Sequence, residues 1–333
     1  MRRLIFIVVL AAAAWSGYWI YGARAQTSAV ETWLEERRAE GWQVEYSALD
    51  LQGYPNRFDM TMRDVELTDP ETGVSWIAPF FQILALSYQP NHLIAVWPDQ
   101  QTLATPEQKI DLVAEKMTAS LVVKPGEDLE LDRANLVVEN ASLTSTEGWT
   151  TRFKALTAGI RGTEGRENTY DLALSADGLV PGEAWQGMID RSGALPDALE
   201  AVLIDIVLGF DAPLDIRTIE EARPALTAIE IKQAKAGWGE LSLRAAGKVN
   251  VDATGKPDGA IDLNARNWRD MLALAVDAGA VSSDVARGAE LGLGLLSNLS
   301  GSSDSLDAPL SFKDGLSFLG PIPIGKAPDL SLR

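Results

Sequence analysis

His92 is the only imidazole in the 333-residue chain, and there is no cysteine. A Ser-His-Asp triad would have to take its base from Pro90-Asn91-His92-Leu93, yet no Gly-x-Ser-x-Gly elbow occurs to supply the nucleophile. A turn residue bonding backbone carbonyls is the simpler reading. Without cysteine, thiol nucleophiles, disulfides, iron–sulfur clusters and thiolate zinc sites are excluded, and one histidine excludes a two-His metal motif. Asp252, Thr254 and Asp258 space oxygen atoms somewhat like a calcium loop. Lys256 occupies a ligand position there, Pro257 stiffens the segment, and no bidentate glutamate follows, so it reads as a hairpin turn. Gly292-Leu293-Gly294 lacks the third glycine of a dinucleotide fingerprint and sits inside a helical pattern, which fits close helix packing. There is no P-loop. Adjacent acids such as Glu35-Glu36 and Glu220-Glu221 are what a solvated face supplies in a chain with 47 Asp and Glu. The expectation is a protein that is not an enzyme, with no catalytic residue, no metal and no cofactor.

What remains is apolar. Phe58, Met60, Met62, Phe80, Phe81, Met117, Leu121 and Trp149 fall on strand faces. They read either as an ordinary core or as the lining of a groove for acyl chains, for which methionine and aromatic rings are adaptable. Both readings need inward-facing hydrophobes, so pattern alone does not separate them.

The elements that would carry these residues begin with an apolar run, Leu4–Tyr21, preceded by Arg2 and Arg3. At helical rise its 18 residues reach about 27 Å, enough for a single pass, and Trp15, Tyr18, Trp19 and Tyr21 form an interfacial belt. The arginine pair orients the start to the cytoplasm. A cleaved signal peptide is the alternative, because Ala23-Arg24-Ala25 fits a cleavage site. Both readings export the rest, which carries 26 Lys and Arg against 47 acids. Such a charge is repelled by nucleic acid and by an anionic membrane face.

A capping box, Ser28-Ala29-Val30-Glu31, opens an amphipathic helix over 28–40, with Val30, Trp33, Leu34 and Arg37 at helical spacing and Gly41 as its stop. Twofold alternation follows: Trp42, Val44 and Tyr46, a Gly53-Tyr54-Pro55-Asn56 turn, then Phe58, Met60 and Met62. Further strands are expected at 76–86, 93–97, 108–114, 117–123, 129–138, 149–160 and 169–176. Leu195–Phe210 is expected to be a helix, apolar over most of its circumference. Strands resume at 213–218, 226–234, 239–250 and 259–265, then helices at 267–278 and 283–298, strands at 308–313 and 316–319, and a Pro/Gly tail. Short loops between strands imply antiparallel pairing. The expected organisation is a membrane anchor or signal peptide over 1–25, a β-rich half over 26–177, a helical connector over 178–212, and a C-terminal part over 213–333.

Four stretches carry a family resemblance. They are Gly53-Tyr54-Pro55-Asn56-Arg57-Phe58; Trp76-Ile77-Ala78-Pro79; Leu86-Ser87-Tyr88-Gln89-Pro90-Asn91-His92-Leu93-Ile94-Ala95-Val96-Trp97-Pro98; and Gly320-Pro321-Ile322-Pro323-Ile324-Gly325. With them the chain resembles the bacterial domain of unknown function 2125 along nearly its whole length. The marked positions are Gly53, Pro55, Arg57, Trp76, Pro79, Tyr88, Pro90, Asn91, His92, Trp97, Pro98, Gly320, Pro321 and Pro323. The order anchor, helix, strand, Gly-aromatic-Pro turn, strand is also similar to the start of AsmA-like proteins, as is the hairpin and helix after Gly247. That similarity implies a long β-groove, single-pass attachment to the inner membrane and a role in phospholipid traffic or envelope upkeep.

The expected fold is mainly β (α+β), a long curved antiparallel sheet or groove with packed helices after a transmembrane helix. The expected function is non-enzymatic: lipid handling or cell-envelope maintenance from the inner membrane, with the bulk of the chain in the periplasm. Expected partners are the membrane, phospholipid and another envelope protein, and no nucleic acid. A protein-interaction scaffold with a closed β core is the alternative, and a periplasmic hydrolase is disfavoured by the missing motifs.

Overall fold

The apolar leader and the helix after it are one element, α1 (Arg2–Ala39), in the computed structural model, which describes residues 1–183, 186–187, 195–220, 223–277, 279, 286–288, 290, 292–294, 297 and 304–331. The expected restart at Ser28 does not occur. Nothing upstream ends the first helix, since only Gly22 and no proline lies between Tyr21 and Ser28. Propagating a helix costs less than nucleating a new one. Ala23-Arg24-Ala25 therefore lies inside a continuous helix. Its stop is the expected one: Gly41 takes φ 93°, its N–H bonds Arg38 O, and the Trp42 N–H bonds Arg37 O, a paired closure of the last turn. At 38 residues α1 is about 57 Å long. Leu4 to Leu10 are each 59–69 % exposed, and the helix is long and apolar enough to cross a membrane.

The fold class is the expected one. Strands hold 54 % of the chain, and the strand pairings described below are antiparallel. The chain divides into two compact units, Met1–Val122 with Ala141–Gly148, and Val123–Asn140 with Trp149–Arg333.

In the first unit, β1 (Gln43–Glu45) and β2 (Ala48–Gln52) both pair with β3 (Arg57–Thr68), the Gly53–Asn56 turn joining β2 to β3. β3 pairs with β4 (Ser75–Leu86) along its length. β5 (Gln89–Val96) and β6 (Gln100–Ala104) share the far side of β4, and both pair with β7 (Lys109–Val123). β6 was not expected, and β7 replaces two expected strands. The interruption lies in its partner, at Trp97-Pro98-Asp99, because a proline cannot donate to the ladder. β8 (Leu131–Ser145) contributes 141–145 to this unit and 131–140 to the second.

The second unit is a meander from β9 (Thr150–Gly162) through β10 (Thr169–Leu179), β11 (Leu199–Phe210), β12 (Leu226–Trp238), β13 (Leu241–Val251), β14 (Pro257–Arg266), β15 (Ser305–Lys313) and β16 (Leu316–Leu319) to β17 (Ile322–Lys326). Each strand pairs with the next. The register aligns apolar residues straight across it: Ile160, Leu172, Ile206, Ile231, Gly247, Ile261, Leu310 and Leu319 form one rung. The opposite face carries an ion-pair group in which Lys232 contacts Asp171 at 2.6 Å and Asp205 at 4.0 Å, with Arg161 3.5 Å from Asp171. A short helix, α2 (Arg217–Glu220), follows β11, and α3 (Trp268–Asp277) packs Trp268, Met271 and Leu272 onto Ala265, Leu306 and Ala308.

Three expectations are corrected here. Residues 199–210, read as part of a helical connector, are β11. The run is apolar apart from Glu200 and Asp205, so no period is visible, and β-branched Val202, Ile204, Ile206 and Val207 favour a strand between two partners. Residues 213–218, read as a strand, bend at Asp215, whose carboxylate accepts the Arg217 N–H at 2.9 Å and leads into α2. The Pro/Gly tail contains β17. Of the expected helix 283–298, the start at 283–285 lies outside the described residues, while 286–288, 290, 292–294 and 297 are helical.

Candidate functional site

In the first unit an apolar cavity of about 720 Å³ lies between the second half of α1 and the sheet. The helix contributes Ala29, Val30, Trp33 and Leu34, the face that the 3–4 spacing anticipates. β2 and β3 contribute Leu49, Met60, Met62, Val65 and Leu67. β4 contributes Trp76, Phe81 and Ile83, and the wall is completed by Trp97, Gln101 and Met117.

The lining depends on a change of phase. Along β3 the inward positions are Phe58, Met60 and Met62, then Val65 and Leu67. Along β4 they are Ile83 and Phe81, then Ala78 and Trp76. The pairs Met60–Ile83, Met62–Phe81, Val65–Ala78 and Leu67–Trp76 share one face, so both strands shift by one residue at the same level. Asp64, at φ 48°, and Pro79 occupy that level. A strand kept in strict alternation would have turned Val65 and Leu67 to the other side.

Gln101 is the only polar residue of the wall, and it is 8 % exposed. Its Oε1 accepts the Trp76 indole N–H at 2.7 Å, and its Nε2 donates to Met117 Sδ at 3.3 Å. Trp76 stands edge-on to Phe81, 5.6 Å between centroids, and Phe81 lies 5.2 Å from Trp97. The cavity wall carries no titratable side chain. Such a lining matches an apolar guest in polarity. Trp76→Phe leaves the Gln101 carbonyl without its donor. It is expected to destabilise the unit by about 1–3 kcal/mol, measured by thermal unfolding of the full chain in detergent.

Of the eight expected lining residues, Met60, Met62, Phe81 and Met117 meet in this cavity. Phe58 is 2 % exposed and packs beneath α1, stacked 5.8 Å from Trp19. Phe80 points to the opposite face of β4, beside Arg57, Asp59 and Arg63. Leu121 shares a rung with Phe58, Ala85 and Leu93 but is 37 % exposed on β7. Trp149 belongs to the second unit, near Gly182.

The marked positions divide between two places in the first unit. Trp76 and Trp97 are cavity wall, and buried Pro98 follows Trp97. Gly53, Pro55 and Arg57 form the hairpin tip on which α1 rests. Gly53 takes φ 102°, and a Cβ there would come within 2.7 Å of Arg57 Cβ, so the tip requires glycine. Tyr88 is exposed at the next turn; Pro90, Asn91 and His92 begin β5, with His92 opposite Val122. In the second unit, Gly320, Pro321 and Pro323 form the β16–β17 corner, where Ile322 packs against Gly292. Leu293 lies in the same cluster, 3 % exposed, as close helix packing requires.

None of the perturbed ionisable groups lines the cavity. The Lys232 ammonium holds Asp171 below the usual carboxylate range and is itself raised by that contact. Arg217 lowers Asp215, and burial raises Tyr170. Asp252 is lowered by the Thr254 hydroxyl within its turn, where its Oδ1 also accepts the Lys256 N–H at 3.0 Å. Among the described residues no group of three or more His, Cys, Asp or Glu could hold a metal ion.

No curated protein and no solved structure matches the chain. A family model described as an uncharacterised protein conserved in bacteria does match, over residues 19–328, which takes in both units, the cavity wall and the hairpin tip. The chain belongs to that family, DUF2125.

Proposed function

We propose that this protein is a non-enzymatic, single-pass inner-membrane protein that shelters acyl chains in the cavity beneath α1, in lipid handling or envelope maintenance. The observation that carries the reading is the composition of that cavity. Fourteen of its fifteen lining residues are apolar, and the one polar residue has its acceptor and one donor engaged within the wall. A volume of about 720 Å³ is in the range of small-molecule sites, which run roughly 300–1,000 Å³. Each methylene buried there contributes about 0.8 kcal/mol. Three of the six methionines of the chain line it, which suits acyl chains of variable length and unsaturation.

The position of the cavity supports the same reading. α1 runs from the apolar segment directly over the cavity, so a chain leaving the bilayer along the helix meets Phe58, then Met60 and Met62. An anchor accounts for attachment, because the exported part is too acidic to adhere to an anionic surface. The arginine pair before Leu4 supports a cytoplasmic start and a periplasmic bulk.

Native mass spectrometry of the full chain, activated until the detergent is stripped, tests the proposal. The expected spectrum retains the mass increment of a phospholipid or fatty acid. A bare chain under conditions that preserve other lipid complexes would instead favour the interaction scaffold.

A further inference from the structure

The tip of the β2–β3 hairpin and the β4–β5 turn are bonded to α1 unexpectedly far along its apolar run. The Trp15 indole donates to Pro55 O at 3.0 Å, the Tyr18 hydroxyl to Ser87 O at 2.6 Å and the Trp19 indole to Arg57 O at 2.8 Å. Ser16 Oγ and the Tyr54 hydroxyl are 2.8 Å apart. Counting from Leu4, Trp15 is about 17 Å along the helix and Trp19 about 23 Å, whereas a bilayer core is about 30 Å thick. If the run beginning after Arg3 starts at one face of the core, both turns fall inside the opposite half and not above it.

The chemistry of the turns fits that depth. Gly53–Asn56 and Leu86–Asn91 contain no charged side chain, and no Asp, Glu, Lys or Arg occurs between Glu71 and Asp99 in a chain that is 23 % charged. Tyr54 and Tyr88 project at 58 % and 60 % exposure. Backbone acceptors in lipid must be satisfied internally. Here the carbonyls of Pro55, Arg57 and Ser87 each receive a side-chain donor from α1, Pro55 O a second from the Ser87 hydroxyl at 3.1 Å, and the Asn56 carbonyl takes the Ser87 N–H at 2.9 Å. The first charges along β3, Arg57 and Asp59, pair at 3.0 Å, and the arginine stem is long enough to reach the headgroups.

We infer that these two turns insert into the periplasmic leaflet beside α1, with Tyr54 and Tyr88 among the acyl chains and Arg57 at the headgroups. The inference rests on the reading of α1 as a membrane-spanning helix. It gives the cavity a direct route: the rung next to the turns, Phe58, Ala85, Leu93 and Leu121, lies between the leaflet and Met60.

The absence of cysteine makes the test clean. Tyr54→Cys and Tyr88→Cys each introduce a single thiol into the full chain. Nitroxide labels are attached, and the protein is reconstituted in phosphatidylethanolamine–phosphatidylglycerol vesicles. Collision rates with oxygen and with a water-soluble nickel chelate report depth. Val9→Cys reports the helix itself, and Thr72→Cys the turn at the other end of β3 and β4. Tyr88 makes none of the named bonds to α1, so its label leaves the docking intact. Labels at 54 and 88 are expected to favour oxygen several-fold over the label at 72, as the label at 9 does. Aqueous readings at 54 and 88 with a deep reading at 9 would overturn the insertion and leave the spanning helix standing. An aqueous reading at 9 would overturn both.

Discussion

Ile83→Asp is expected to lower the lipid retained by the full chain roughly thirty-fold or more, and to leave the fold largely intact. Ile83 lines the cavity opposite Met60, and no cation lines the wall to compensate a carboxylate. With the cavity empty, water can reach the new group, so folding loses little. With an acyl chain beside it, the carboxylate loses that water. Burying an unpartnered polar group costs at least about 2 kcal/mol, and each 1.4 kcal/mol is tenfold in affinity. Ile83→Val, which removes one methylene and adds no charge, is expected to retain lipid within a few-fold of the natural chain. The ratio of the two variants in native mass spectra separates an effect of charge from one of packing. Equal retention by Ile83→Asp and Ile83→Val would show that no acyl chain occupies this cavity.

Phe58→Ala is expected to be the most damaging single truncation in the first unit, at about 3–5 kcal/mol. The ring is 2 % exposed, stacks on Trp19, and fits under Gly22 so closely that a Cβ there would approach within 2.7 Å of Phe58 Cζ. Removing it opens a void under α1 that neither the helix nor β3 can close, because Trp15, Tyr18 and Trp19 are tied to the turns on either side. Denaturant unfolding followed by circular dichroism measures the loss. Phe80→Ala, at a half-exposed ring on the other face of β4, is expected to cost clearly less. Comparable losses from the two would mean that α1 is not held by this contact.

Much of the first unit is legible in the sequence, because there the polar residues reveal the period. Met60 and Met62 alternate with Asp59, Thr61 and Arg63, and Gly41 and Gly53 mark a helix end and a turn that each need positive φ. The legible part stops at Asp64. Alternation predicts that Val65 and Leu67 face away from Met62, and only the simultaneous shift opposite Pro79 returns them to the cavity. A non-glycine residue at positive φ across from a proline leaves a faint trace, an acid and a proline inside otherwise regular strands. Val30, Trp33 and Leu34 read correctly as one face of a helix, but nothing local says which strands that face covers. The error over Leu199–Phe210 has the opposite origin: with too few polar residues to mark a period, a strand buried between two neighbours imitates a buried helix. The tethering of Trp15, Tyr18 and Trp19 to Pro55, Ser87 and Arg57 spans some 38 to 69 positions and has no sequence signature beyond the presence of aromatic residues with a polar tip.

The cavity claim is tested most directly by crosslinking from inside it. A photoreactive p-benzoylphenylalanine is placed at Phe81, which faces the cavity, or at its neighbour Phe80, which faces the other side of β4. After illumination in native membranes, covalent acyl adducts identified by mass spectrometry are expected from position 81 and not from position 80. Adducts from neither position, or from both alike, would contradict an acyl-binding cavity beneath α1.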